Sequence, residues 1–149
     1  MAELFIGPAI LMGIIIGFYE AHLVHSDEGN IKGSMKHALH TIPVTMIFVF
    51  IAMNVDFIVT FLPNWAFFKA SYFPHILRAL IGIIAMAKIY GAGAIAGNVK
   101  GMHEKFAHVL IVAVLIVATP YIFELLVYPA LSKVAIPSSL KWLISVGGK

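Results

Sequence analysis

The residues best suited to chemistry in this chain are its histidines, and they are unevenly placed. His22-x-x-His25 and His37-x-x-His40 stand on either side of one short polar stretch, and His103 and His108 flank a second. Residues three apart share one face of a helix, so each His-x-x-His pair can present two imidazoles together. Glu20, Asp27 and Glu28 lie beside the first pair and Glu104 beside His103. Neutral imidazole with carboxylate is a donor set for a divalent transition metal: zinc, copper, iron or manganese. On this reading His22, His25, His37, His40 and His108 are the ligands. Glu20, Asp27, Glu28 and His103 are second acceptors that orient the rings or substitute as ligands. The same histidines could instead hold haem b or handle protons, or simply sit solvated at a polar boundary.

A second group consists of isolated charges within apolar surroundings. Asp56, Lys88 and Glu124 each interrupt a long hydrophobic run. A charge at mid-bilayer costs about 2.5–3.5 kcal/mol on insertion scales, so such residues normally face inward and pair. The expectation is an ion pair of Lys88 with Asp56 or Glu124. Together with Glu20 these residues could also line an ion or proton path.

The elements that must position these groups follow from composition. Of 149 residues, 61% are hydrophobic and 11% charged, and the mean hydropathy is +0.98. A soluble domain is about 45–50% apolar and roughly 25% charged. This chain has too few polar residues to coat a soluble core, so its expected class is an all-α integral membrane protein, multi-pass, in a membrane that the sequence does not specify. Spans need about 20 apolar residues, and four windows qualify: 4–24, 38–62, 76–99 and 106–131. The first lacks the basic leader and small-residue cleavage site of a signal peptide. Pro8 falls in its first turn, whereas Pro120 should kink the fourth span. The aromatic segment 63–75 reads as lying at headgroup depth. Residues 137–147, with Leu140, Leu143 and Ile144 beside Trp142 and Lys141, read as an interfacial helix.

Four spans put both termini on one face, here face A, with the histidine-rich connections on face B. Lys69, Arg78, Lys133, Lys141 and Lys149 belong to face A, against Lys32, Lys36, Lys100 and Lys105 on face B. That near balance leaves orientation open, its slight excess favouring termini inside. The net charge of +3 is scattered through loops, which argues against a nucleic-acid partner. With no cysteine, disulfides, thiolate zinc sites and iron–sulfur clusters are excluded.

The chain also resembles itself. Gly-Asn-Ile-Lys-Gly from Gly29 aligns with Gly-Asn-Val-Lys-Gly from Gly97, and at the same offset of 68 His40 falls on His108, Asp56 on Glu124 and Glu20 on Lys88. The expected architecture is a single transmembrane domain, 1–149, of two tandem parallel-topology hairpin repeats, 4–62 and 76–131. A shared left-handed helix cap would explain the Gly-Asn pairs alone. Gly13-x-x-x-Gly17 and Gly93-x-x-x-Gly97 offer thin walls for close packing. No phosphate-binding glycine loop, Gly-x-Ser-x-Gly, His-Glu-x-x-His or potassium-filter motif is present, so nothing marks the chain as an enzyme by itself. The functions that remain are a metal-binding or metal-transporting component, or subunit of a membrane redox assembly; a proton- or ion-coupled transporter; and an accessory subunit without its own site. Four helices enclose little space, so a homo-oligomer or other membrane subunits are expected partners within the lipid bilayer.

Overall fold

The computed structural model describes residues 3–28, 31–96 and 106–145, and their side chains except at 24–28, 31–40 and 92–96. Among the described residues every regular element is helical. Two long helices, α1 (Ile6–Glu28) and α2 (Ile31–Met53), are followed by the short α3 (Val55–Val59) and α4 (Ala66–Lys69). Then come α5 (Phe73–Ala96), α6 (Phe106–Ile122), a π-helical turn (Phe123–Val127), α7 (Tyr128–Leu131) and a 3-10 helix (Ser138–Leu143). Among the described residues three stretches are long and apolar enough to cross a membrane: Ile6–Leu23, Phe73–Gly91 and Phe106–Leu131. These coincide with the first, third and fourth expected spans. In α2 the apolar stretch is the shorter Thr41–Met53.

One stripe of each helix faces the common core. Ala9, Met12 and Ile16 come from α1, Val49 and Ala52 from α2, Ile81, Ala85 and Ile89 from α5, and Val109, Val112 and Ile116 from α6. Their spacing of three or four residues is that of a single helical face. The opposite faces are apolar too, with Phe18, Ile83, Ile84, Val114 and Leu125 exposed. Helices that are hydrophobic all round, yet half uncovered, are what a lipid solvent requires and water does not tolerate. The all-helical fold with three such helices is consistent with a multi-pass membrane protein.

Glycines stand where neighbouring helices approach closely. A β-carbon on Gly13 would lie 3.2 Å from Met46 Cα, and one on Gly17 would lie 3.4 Å from Ile42 Cα. The Gly13-x-x-x-Gly17 wall is therefore used within the chain, against antiparallel α2. Gly82 admits Val117 of α6 in the same way, its own β-carbon position being only 2.4 Å from a Val117 methyl. Gly97 lies outside the described residues, as does the side-chain environment of Gly93.

Three expectations about local structure are refined. The second apolar window does not form one helix: α2 stops at Met53, Asn54 makes a turn, and α3 ends at Val59. Asn54 is buried and its side chain explains the break. Its Oδ1 accepts from Phe5 N–H at 2.6 Å, while its Nδ2 donates to Phe50 C=O at 2.8 Å and Phe5 C=O at 3.2 Å. Such a side chain competes with the helix ladder for backbone groups. In the fourth window the irregularity is a π-turn rather than a simple kink, beginning three residues after Pro120. The tail forms a short 3-10 helix, and Trp142 C=O lies so close to Gly7 that a β-carbon there would overlap it. The aromatic segment folds around α4, where Phe67 and Phe68 each meet Phe73 edge-on with centroids 5.1 Å apart.

Candidate functional site

Four chain segments converge at the end of the bundle where α1 starts. The start of α1 supplies Phe5, the α2–α3 junction Met53 and Asp56, the start of α5 His75 and Arg78, and the end of α6 with its π-turn Tyr121 and Glu124. They enclose a cavity of about 190 Å³. Arg78 is its buried charged member, only 5% exposed. Its Nη2 donates to Asp56 Oδ2 in an ion pair, and its Nε donates to Ala52 C=O at 3.2 Å. The guanidinium carbon also lies 5.7 Å from the centre of the Tyr121 ring, within range of cation–π attraction. Tyr121 OH and His75 Nδ1 are 2.7 Å apart and hydrogen-bonded, with either group able to donate.

Local structure explains why these side chains meet. The turn at Asn54 re-aims α3, so Asp56 leaves the α2 stripe and faces α5. The π-turn inserts an extra residue into the ladder, Tyr128 N–H bonding to Phe123 C=O five residues back. That shift carries Glu124 to the cavity while Phe123 stays in the core. Single π-turns of this kind recur at functional sites. The cavity is lined by two carboxylates and one guanidinium, and among the described residues it is Asp56 that pairs with Arg78. Its acids are exposed and its arginine buried, so the carboxylates stand at the outer side of the cavity and the guanidinium at its inner side.

A second polar contact lies inside the α1–α2 hairpin. Glu20 is 2% exposed, and its Oε2 accepts from Thr45 Oγ1, itself fully buried. Thr41, one turn before Thr45 on α2, is buried as well. Side chains on α1 lean toward its N-terminus, which directs Glu20 back along the hairpin toward Thr45.

The expected pairing of Lys88 requires correction. Asp56 is bound by Arg78, and Lys88 is exposed on the outer side of α5. Lys88 stands ten residues beyond Arg78 in α5, about 15 Å further along the helix, whereas Arg78 starts level with Asp56. Glu124 shares the cavity with Asp56 but makes no ion pair among the described residues. In the sequence Arg78 stands with the cations of face A, and neither His75 nor Tyr121 belongs to a motif. The available signal was an arginine already inside an apolar run, Ile76-Leu77-Arg78-Ala79-Leu80.

At the opposite end, His22 is exposed near the end of α1 and His108 half-buried near the start of α6. His25, Asp27 and Glu28 are on α1, and His37 and His40 on α2, but their side chains lie outside the described residues, as do His103 and Glu104 entirely. Among the described residues no three His, Asp or Glu side chains are grouped to hold a metal. Comparison with known proteins yields no match, whether to a family model, a curated protein or a solved structure.

Proposed function

We propose that this chain is a four-span integral membrane protein that passes protons or small cations through its helical bundle, by itself or as a subunit of a larger membrane assembly. The cavity of Asp56, His75, Arg78, Tyr121 and Glu124 carries the reading, because ionisable residues inside apolar helices are costly and mark ion or proton pathways. It serves as the entry from face A. Glu20 with Thr45 is the carrier deeper in the hairpin, and the histidines of face B are the exit. The fourth span is α2, which runs antiparallel along α1 and matches its 23 residues. Two observations support duplicated hairpins. Asp56 and Glu124, 68 positions apart, line one cavity, and the α-helical ladder breaks after Met53 and after Ile122, at nearly the same offset.

The test is flux into liposomes reconstituted with the purified protein under imposed proton, sodium and potassium gradients. Glu124→Gln and Glu20→Gln should each lower the flux on the order of tenfold, the effect of about 1.4 kcal/mol on the limiting step. Flux at the level of empty liposomes under every gradient defeats the reading.

A metal site on face B is the second reading, favoured by helix register. Gly13 faces Met46 and Gly17 faces Ile42, and the same antiparallel register, continued five residues, levels His22 with His37. His25, His40 and His108 would complete the set, with Glu20, Asp27, Glu28 and His103 supporting it. Elemental analysis after loading with zinc, copper, iron or manganese tests this, and an absorbance spectrum tests haem b. With neither flux nor metal, the chain becomes an accessory subunit held by its partners.

A further inference from the structure

We propose that the groove between the C-terminal segment and the start of the chain seats one phospholipid with a zwitterionic headgroup, its phosphate on Lys141 and its ammonium on Glu3. The groove encloses about 970 Å³, and Glu3, Tyr128, Leu131, Ile136, Lys141 and Trp142 are among the residues that line it. Its size falls at the upper end of small-molecule sites, about 300–1,000 Å³, which suits a headgroup and the first part of its chains. Charge selects the occupant. Glu3 and Lys141 are exposed in one groove, yet they form no ion pair with each other among the described residues. A purely anionic ligand meets repulsion from Glu3, and a purely cationic one from Lys141; a ligand carrying both signs satisfies both.

The other walls argue for a lipid rather than a soluble zwitterion. Leu131 and Ile136 provide apolar surface, and Tyr128 and Trp142 are the aromatic types that occupy the headgroup boundary. The groove lies beside α7 and the start of the apolar helix α1, where Trp142 C=O is packed against Gly7. This site is separate from the Asp56–Arg78 cavity, and its occupancy does not depend on whether that cavity conducts.

The experiment uses the full chain in detergent, incubated with equimolar phosphatidylethanolamine and phosphatidylglycerol and examined by native mass spectrometry. One charge-assisted hydrogen bond to the ammonium should favour phosphatidylethanolamine roughly tenfold. Glu3→Gln should remove that preference while leaving the melting temperature in place, and Lys141→Ala should weaken retention of both lipids. Glycerophosphoethanolamine, which has the headgroup without chains, should displace bound lipid poorly. Equal retention of the two lipids by the parent protein, an undiminished preference in Glu3→Gln, or efficient displacement by glycerophosphoethanolamine would each overturn the proposal.

Discussion

Arg78 and Asp56 form an asymmetric ion pair: the arginine side chain is 6% exposed and the aspartate 55%. The two partners therefore do not depend on each other equally. Removing the aspartate charge leaves a buried guanidinium bonded to neutral acceptors such as Ala52 C=O, whereas removing the guanidinium leaves a carboxylate that water can reach. Asp56→Asn should thus destabilise the protein by about 1.5–3 kcal/mol, the range for a hydrogen bond to a charged group. Arg78→Met should cost less, and the double variant less than Asp56→Asn alone. Thermal melting in detergent measures all three, and the reverse ranking would show that the burial asymmetry does not govern the pair.

Lys88 leads to the opposite expectation for a charge. It is exposed on α5 and forms no ion pair among the described residues, so Lys88→Leu removes a cost of up to about 3 kcal/mol when the helix sits in lipid. The variant should melt at the same temperature as the parent in detergent and higher in bilayers. A drop in bilayers would mean that Lys88 is held by another chain.

Gly7 is where the tail meets the bundle. A β-carbon there would overlap Trp142 C=O, while one on Gly91 meets nothing within 4 Å. Gly7→Ala should displace the Ser138–Leu143 helix without unfolding the long helices, and Gly91→Ala should be silent apart from a modest gain in helix propensity, about 0.8–1 kcal/mol at most. Trp142 fluorescence, recorded in a Trp65→Phe background, reports the displacement; an unchanged spectrum in Gly7→Ala would contradict it.

Asn54 ties the start of the chain to the α2–α3 junction through both ends of its amide. Asn54→Asp keeps an acceptor for Phe5 N–H but loses the donor that reaches Phe5 C=O and Phe50 C=O. It should cost about 1–3 kcal/mol by leaving carbonyls unpaired and should speed hydrogen exchange at the Phe5 amide less than Asn54→Leu does. Equal exchange in the two variants would remove the acceptor role.

The face B histidines have a pH signature if they hold metal. Ligation needs neutral imidazole, so affinity should fall on acidification. Replacing His37 and His40 together should abolish stoichiometric zinc, while His75→Ala, across the bundle, should leave it intact. Zinc retention that responds equally to both changes would place the site elsewhere.

The helices, and an apolar surface consistent with a lipid solvent, were legible in the sequence. Apolar runs near 20 residues with so few charges permit no soluble coat, and three of these runs are found as helices of spanning length. The sequence also marked Asp56 and Glu124 as residues needing an explanation, because a carboxylate in an apolar run is costly wherever it points. Partner choice was not legible, since it depends on side-chain depth and direction. Lys88 and Arg78 are both cations in α5, and only the packed bundle puts Arg78 level with Asp56 and turns Lys88 outward. The turn at Asn54 was equally hidden: it exists because Phe5, 49 residues away in sequence, offers backbone groups to a buried amide. Likewise, the pairing of His75 with Tyr121 joins residues 46 apart. Periodicity reports which face of a helix is apolar, but the cavity required four segments to arrive at one depth, and that is set by the glycine-limited approach of α1 to α2 and the inserted residue of the π-turn.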